Sequence, residues 1–243
     1  MKAMILAGGR ATRLYPLTLH MPKHLLMING YPIISYIFDH CAENGLKDLV
    51  LCVSKDHYQD FRNALGTGTR SGIRLKYSSG PQRLGTGGRV LRARSALGGD
   101  AHFVVYYGDI ITSFDLRALI NEHMEGFPQD GRMATLALSS AARLISGVAK
   151  TNEQGRILDF SEKPMISEVS PYQMNVGIGV FSRRILRYCK PQNDLFRNVI
   201  PLVLQKGFPV FGHIFHSQFF DVGTFASFER LLGFLPRRRS PLK

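Results

Sequence analysis

KAMILAGGRATRL, residues 2–14, is the stretch on which the fold turns. Apolar residues run from Ala3 to Ala7 and stop at Gly8-Gly9, so the segment reads as a short buried strand ending in a polar, basic loop. Outward from it the alternation continues. Pro32 opens a helical pattern in which Ile33, Ile34, Ile37, Phe38, Cys41 and Ala42 recur on one face, and Gly45 stops it. Leu49–Val53 reads as the next strand. A helix around 56–65, a strand at 73–77, a Gly-rich turn at 84–88, an Arg/Ala helix at 89–97 and a strand at 102–107 follow. Repeated strand–helix units predict a parallel sheet with crossover helices. The second half changes character. Short strands at 133–139, 156–160, 174–181 and 210–215, with one helix around 194–206, are expected to cover the carboxyl edge of that sheet.

Composition sets the outer limits. The chain has 243 residues, of which 44% are hydrophobic and 20% charged, which excludes a disordered chain and a coiled coil. Cys41, Cys52 and Cys189 are scattered and form no C-x-x-C pair, which argues against a zinc site or a disulfide framework. The apolar run after Met1 is too short for a signal peptide, and no stretch reaches the length of a membrane span, so a cytoplasmic protein is expected. A net charge of +13 asks for an anionic partner. No helix-turn-helix, zinc-finger or aromatic-basic RNA motif accompanies the charge, so no specific nucleic acid is expected. The run Arg237-Arg238-Arg239 reads as a solvated basic tail over 236–243.

The chemistry centres on the loop after the first strand. In an open parallel sheet, ligands bind at the carboxyl ends of strands. Gly8 and Gly9 sit at such an end and let backbone amides approach phosphate oxygens, while Arg13 and Lys23 add positive charge. The spacing matches neither the Walker loop nor G-x-G-x-x-G, which lowers ordinary ATPase and dinucleotide readings. Asp109 follows the apolar FVVYYG and Asp221 follows HSQFF; each can cap the next turn or ligate a cation, and the residues alone leave both readings open. The eight histidines are dispersed and show no H-E-x-x-H pair, and no G-x-S-x-G elbow supports a serine hydrolase. Both cations lie in a polar loop, so replacing either with alanine is expected to leave folding nearly unchanged.

LAGGRATRLYPLT with MPKHLLMINGYPII, then LGTGG at 84–88, YGD at 107–109, EKP at 162–164, NVGIGVF at 175–181 and DVGT at 221–224, resembles the sugar-1-phosphate nucleotidylyltransferases. The branch it looks most like contains mannose- and heptose-1-phosphate guanylyltransferases. The landmarks occur in the family's order and cover most of the chain. The resemblance implies a doubly wound, Rossmann-like α/β domain over 1–235, with helices on both faces of a mostly parallel sheet and a small β-rich sugar-binding portion. It implies attack of a sugar-1-phosphate on the α-phosphate of a nucleoside triphosphate, releasing pyrophosphate. A UTP- or dTTP-using enzyme and a non-catalytic nucleotide-sugar-binding paralogue are the alternatives.

Residue roles follow from the same resemblance. Leu6, Gly8 and Gly9 would meet the nucleotide, Arg13 the β,γ-phosphates, and Lys23 the α-phosphate. Asp109 and Asp221 would hold Mg²⁺. Gly147, Glu162, Lys163 and Asn175 would receive the sugar phosphate. Gln82, Gly85 and Gly88 would form the base side. Relatives that use dTTP often carry glutamine where this chain has Gly88, which points to GTP. Ala11 stands where the family's commonest loop has glycine, a position that demands unusual backbone freedom. No hexapeptide repeats follow DVGT, so no second acetyltransferase activity is expected. Homo-oligomerisation is left open.

Overall fold

The computed structural model describes residues 1–9, 11–67, 72–140, 148–151, 157–161, 165, 168 and 173–235. Gly147, Glu162, Lys163 and the basic tail 236–243 lie outside the described residues.

β1 (Lys2–Ala7) is the sheet's organiser. Its side chains alternate between two cores: Ala3, Ile5 and Ala7 face one, Met4 and Leu6 the other, and all are buried. A strand apolar on both faces belongs in the middle of a layered α/β fold. It pairs in parallel with β4 (Asp48–Ser54) on one side and β6 (His102–Tyr107) on the other. β4 in turn pairs in parallel with β5 (Arg74–Gly80). The crossovers carry α1 (Ile33–Glu43), α2 (Tyr58–Leu65) and α3 (Thr86–Arg92). Residues of α1 and α2 pack into the first core and those of α3 into the second, so helices cover both faces.

The second half corrects one expectation. Its strands do not form a cover over the sheet edge; three of them extend the sheet. β8 (Ala134–Ser139), β11 (Met174–Ser182) and β12 (Val210–Phe215) complete a seven-stranded order β12-β8-β11-β6-β1-β4-β5. β11 alone runs antiparallel to its neighbours β6 and β8. The antiparallel pair of β9 (Val148–Thr151) and β10 (Ile157–Ser161) stands outside the sheet. Two further two-stranded ribbons join β2 (Met27–Ile28) to β3 (Tyr31–Pro32), and β7 (Ile110–Thr112) to β13 (Phe219–Asp221). Two helices were not anticipated. α4 (Leu116–Asp130) is capped by the Asp115 carboxylate, which accepts from Ala118 N at 3.0 Å. The helix expected around 194–206 is present as a π-helical turn over Leu195–Val199 continued by α5 (Ile200–Gln205), whereas the other unanticipated helix is α6 (Phe225–Phe234), which begins with a Thr224–Ser227 capping box.

Beneath α4 lies a buried polar chain. The ring nitrogens of His102 and His123 meet at 3.0 Å, and His123 Nδ1 meets Thr135 Oγ1 at 3.0 Å. His123 is fully buried. Desolvation, then the His102 and Arg132 charges, lowers its pKa from 6.5 to about 4. A lowered histidine is neutral in the fold, while the unfolded chain takes up a proton below about 6.5. The stabilisation is therefore complete above that pH and is lost as pH falls toward 4. Urea unfolding should show His123 responsible for about 1.5 kcal/mol of the stability lost between pH 6.5 and 5. In His123→Gln that part of the slope should disappear; an unchanged slope would mean that the imidazole is already charged in the fold.

Candidate active site

Parallel pairing of β1 with β6 brings two loops to one edge. Gly8 leaves β1 beside Asp109, which leaves β6, and Gly108 N donates to Leu6 O at 2.9 Å. Between them opens a cavity of about 500 Å³, lined by Leu6, Gly8, Gly9, Lys23, Gln82 and Gly85 among the expected nucleotide residues, and by Asp109. His24, Arg83, Thr86, Arg89, Tyr107 and Asp194 also line it, and none of these was anticipated as a site residue.

Lys23 differs from expectation. It lies in a 3₁₀ turn over Lys23–Leu25 and is only 8% exposed, so it is not a free loop cation. Its ammonium donates to the Asp109 carboxylate in a short ion pair. Truncating Lys23 would leave a largely enclosed carboxylate without its cation. His24 beside it is 2% exposed, its Nδ1 has no hydrogen-bond partner among the described residues, and burial followed by the Lys23 charge lowers its pKa to about 3.

The two aspartates, distant in sequence, are joined by the β7–β13 ribbon. Asp221 pairs with Ile110, and Val222 N donates to Asp109 O at 2.9 Å. The Asp221 carboxyl is raised above its usual range, first by burial and then by the negative charge of Asp109; Lys23 and Arg13 pull it back. Solvent still reaches Asp221 and screens these charges. Arg13 is exposed and sits beside this ribbon: a Cβ on Gly223 would lie 3.0 Å from both Arg13 Nη2 and Asp221 Oδ1. Arg13 and Asp221 therefore stand next to the cavity but do not line it. Among the described residues no group of three or more His, Cys, Asp or Glu side chains gathers to cage a metal. Two mutually repelling carboxylates do suit Mg²⁺, which takes a few protein oxygens and completes its shell with phosphate and water.

The loop carrying Arg13 has the backbone expected of it. Ala11 has φ 50° and ψ 35°, the left-handed region, and its carbonyl accepts from Thr18 Oγ1 at 2.9 Å and Leu14 N at 3.0 Å. A non-glycine residue here costs on the order of 1 kcal/mol, which those two bonds help to offset.

The base-side turn is tied elsewhere. Gly85 N donates to Pro191 O, and Gly87 N and Gly88 N both donate to Asn193 O. Thr86 Oγ1 donates to Asp194 Oδ2 at 2.8 Å and accepts from Leu195 N at 2.7 Å and Tyr107 Oη at 3.2 Å. Gly88 does not line the cavity. A Cβ there would lie 1.9 Å from Pro191 O, so glycine at 88 is required by the packing of two loops. Its lack of a side chain carries no information about the base.

Asn175, at the start of β11, is exposed, and its Oδ1 accepts from Gly177 N at 3.1 Å. Continuing the β11–β6 register from Ile178 and Tyr106 places Asn175 level with Asp109, on the same edge as the cavity.

Comparison with known proteins agrees with this architecture. A glucose-1-phosphate uridylyltransferase of Synechocystis is 28% identical over 98% of this chain and 64% of its own length. A mannose-1-phosphate guanylyltransferase of Mycobacterium tuberculosis is 29% identical over 94% of this chain and 62% of its own length. The chain thus spans less than two thirds of the curated relatives it matches. A Bacillus anthracis crystal structure, described as a glucose-1-phosphate thymidylyltransferase in complex with a sucrose, superposes with a TM-score of 0.76 at 26% identity, covering 100% of this chain and 98% of that one. The nucleotidyl transferase profile matches residues 2–237, and with the Gly8 loop, the Lys23–Asp109 pair and the Asp109–Asp221 ribbon on one sheet edge, the chain belongs to the nucleotidyl transferase family.

Proposed function

We propose that this protein is a sugar-1-phosphate nucleotidylyltransferase, joining a nucleoside triphosphate to a sugar-1-phosphate and releasing pyrophosphate. The observation that carries the reading is the convergence of Lys23, Asp109, Asp221 and Arg13 at one end of a cavity whose other walls are a glycine loop and the Gly85 turn. Both reactants are anions, so the reaction needs fixed positive charge more than covalent catalysis. Lys23 supplies it in place: burial and the Asp109 contact hold the ammonium before a nucleotide arrives. Arg13, exposed on its loop, suits the β,γ-phosphates and the departing pyrophosphate. A sugar phosphate oxygen attacks the α-phosphorus, and the bond from that phosphorus to the oxygen bridging toward the β-phosphate breaks. Mg²⁺, held by Asp109 and Asp221, would supply Lewis-acid neutralisation of phosphate charge. Asn175, with Gly147, Glu162 and Lys163, remains the proposed sugar-phosphate side. The domain boundary at 235, a cytoplasmic location and a basic tail stay with this reading; among the described residues no helix is long and apolar enough to cross a membrane.

GTP is the proposed donor, now without help from Gly88. Its support is the similarity to a guanylyltransferase and the Gln82 side chain on the cavity wall, whose amide oxygen suits the N2–H donor of guanine.

Arg13→Ala and Lys23→Ala should separate turnover from folding. Each should lower kcat on the order of 10²- to 10³-fold. Arg13→Ala should melt with the wild type, whereas Lys23→Ala should lose about 1–3 kcal/mol because Asp109 is left unpaired. Near-normal turnover in both variants would remove the assigned mechanism.

Activity should vanish in EDTA and return with Mg²⁺. Asp109→Asn and Asp221→Asn should each need more Mg²⁺ for half-activation, since amides are poorer ligands for a hard cation. A wild-type Mg²⁺ response in both would dismiss the carboxylate pair as the metal site.

Pyrophosphate release measured over a matrix of nucleoside triphosphates and hexose- or heptose-1-phosphates tests the reaction and the donor together. GTP should exceed dTTP at least about tenfold in kcat/KM, a gap of roughly 1.4 kcal/mol. A preference for UTP or dTTP would replace the donor and keep the reaction; no release with any pair would overturn the reaction itself.

A further inference from the structure

Among the described residues Arg89 is a buried cation with no anionic partner. It is 5% exposed, in the first turns of α3, and lines the nucleotide-side cavity. Among the described residues its guanidinium donates to backbone carbonyls alone: Nη1 to Val53 O at 3.0 Å, Nη2 to Gly8 O at 2.9 Å and to Gln82 O at 3.1 Å. Among the described residues no carboxylate lies within ion-pairing distance of it. The neighbouring Cys52 thiol is pushed up to about 12 by burial, so it offers no negative charge either. Burial also lowers the pKa of Arg89, but a guanidinium starts so high that it stays charged.

This arrangement is costly for a spacer. A buried charge is normally paired, and a neutral amide or an apolar side chain would link or fill the same gap at lower desolvation cost. The three carbonyls belong to three different segments: the loop after β1, the end of β4 and the base-side turn. One planar group therefore sets their separation. Glycine at position 8 is part of the same device, because a Cβ there would lie 2.0 Å from Arg89 Cζ. Peptide geometry adds a consequence. In a trans peptide the carbonyl and the following N–H point to opposite sides, so holding Gly8 O toward Arg89 turns Gly9 N–H the other way. Gly9 itself has open space around its α-carbon.

We propose that Arg89 is a positioning residue of the nucleotide site. In this role it fixes the Gly8–Gly9 peptide as an anion-binding donor, and its unneutralised charge makes the cavity selective for polyphosphate over uncharged nucleoside. The inference rests on reading this cavity as the nucleoside triphosphate pocket. Lys23 is matched by Asp109, and Arg13 lies beside Asp221, so Arg89 is the buried cation here that keeps its field for the ligand.

The test compares binding of guanosine, GMP and GTP, with the uridine series alongside, to the full chain and to Arg89→Gln and Arg89→Lys. Arg89→Gln should weaken triphosphate binding at least tenfold and nucleoside binding less than twofold, with GMP between. Arg89→Lys keeps the charge and loses most of the carbonyl bonds; it should melt lower and recover only part of the triphosphate affinity, the remaining loss being that of the fixed Gly8–Gly9 peptide. Equal losses for nucleoside and triphosphate would reduce Arg89 to a structural spacer, and unchanged triphosphate binding would leave it no role. Should Arg89→Gln fail to fold, the lysine variant decides: equal loss of GTP and guanosine there overturns the proposal. Gly8→Ala supplies a second check. It should weaken GTP binding strongly in the wild type and far less in an Arg89→Ala background, because the obstructing guanidinium is gone; an equal loss in both backgrounds would count against the coupling of Gly8 to Arg89. A wild-type chain that binds no triphosphate in either series would instead sink the reading of the cavity, which separates that failure from one confined to Arg89.

Discussion

Parallel pairing on both sides of β1 is the constraint from which the rest of the molecule follows. Because β4 and β6 run in the same direction as β1, the chain must leave all three strands at the same edge. Each exit loop then faces the others across a strand spacing of about 5 Å. Gly8 follows β1, Asp109 follows β6, and the carbonyl of Val53 sits at the end of β4. No single loop builds the cavity; the sheet direction does. Burial of β1 on both faces holds that direction, since a one-residue slip would exchange Ala3, Ile5 and Ala7 with Met4 and Leu6 between two differently shaped cores.

On that edge the charges are placed before any ligand arrives. Lys23 is held by Asp109, Arg13 lies beside Asp221, and Arg89 is clamped by three carbonyls. Charges fixed by the fold need no reorganisation when an anion enters, which is the physical basis of the proposed role of this cavity. The Asp109–Asp221 repulsion is the counterpart. It is tolerated because the β7–β13 ribbon forces the two residues together through backbone bonds, independently of what the carboxylates prefer.

The base-side turn shows how glycines can mislead. Gly85, Gly87 and Gly88 together look like a surface shaped for a ligand. Their amides instead bond to Pro191 and Asn193, and Gly88 is glycine because Pro191 O occupies the place of its side chain. The cavity wall beside this turn is side-chain chemistry from Gln82, Arg83 and Asp194, the last contributed by a segment more than a hundred residues away.

Local pattern alone determined the strand–helix alternation of the first 110 residues, because a two-sided apolar strand and an amphipathic helix each carry their own period. It also determined the glycine loop and the strand-end position of Asp109. The same pattern carries two further signals: Asp115 ahead of Leu116, Leu119 and Ile120 marks the start of α4, and Arg89 shares the four-residue spacing of buried Ala93 and Leu97. Three matters were decided only in three dimensions: the joining of β8, β11 and β12 to the central sheet, the meeting of Asp221 with Asp109, and the burial of Lys23. Each depends on pairing between segments far apart in the chain, and neither hydrophobic period nor loop polarity encodes which strand edge or which carboxylate a residue will meet.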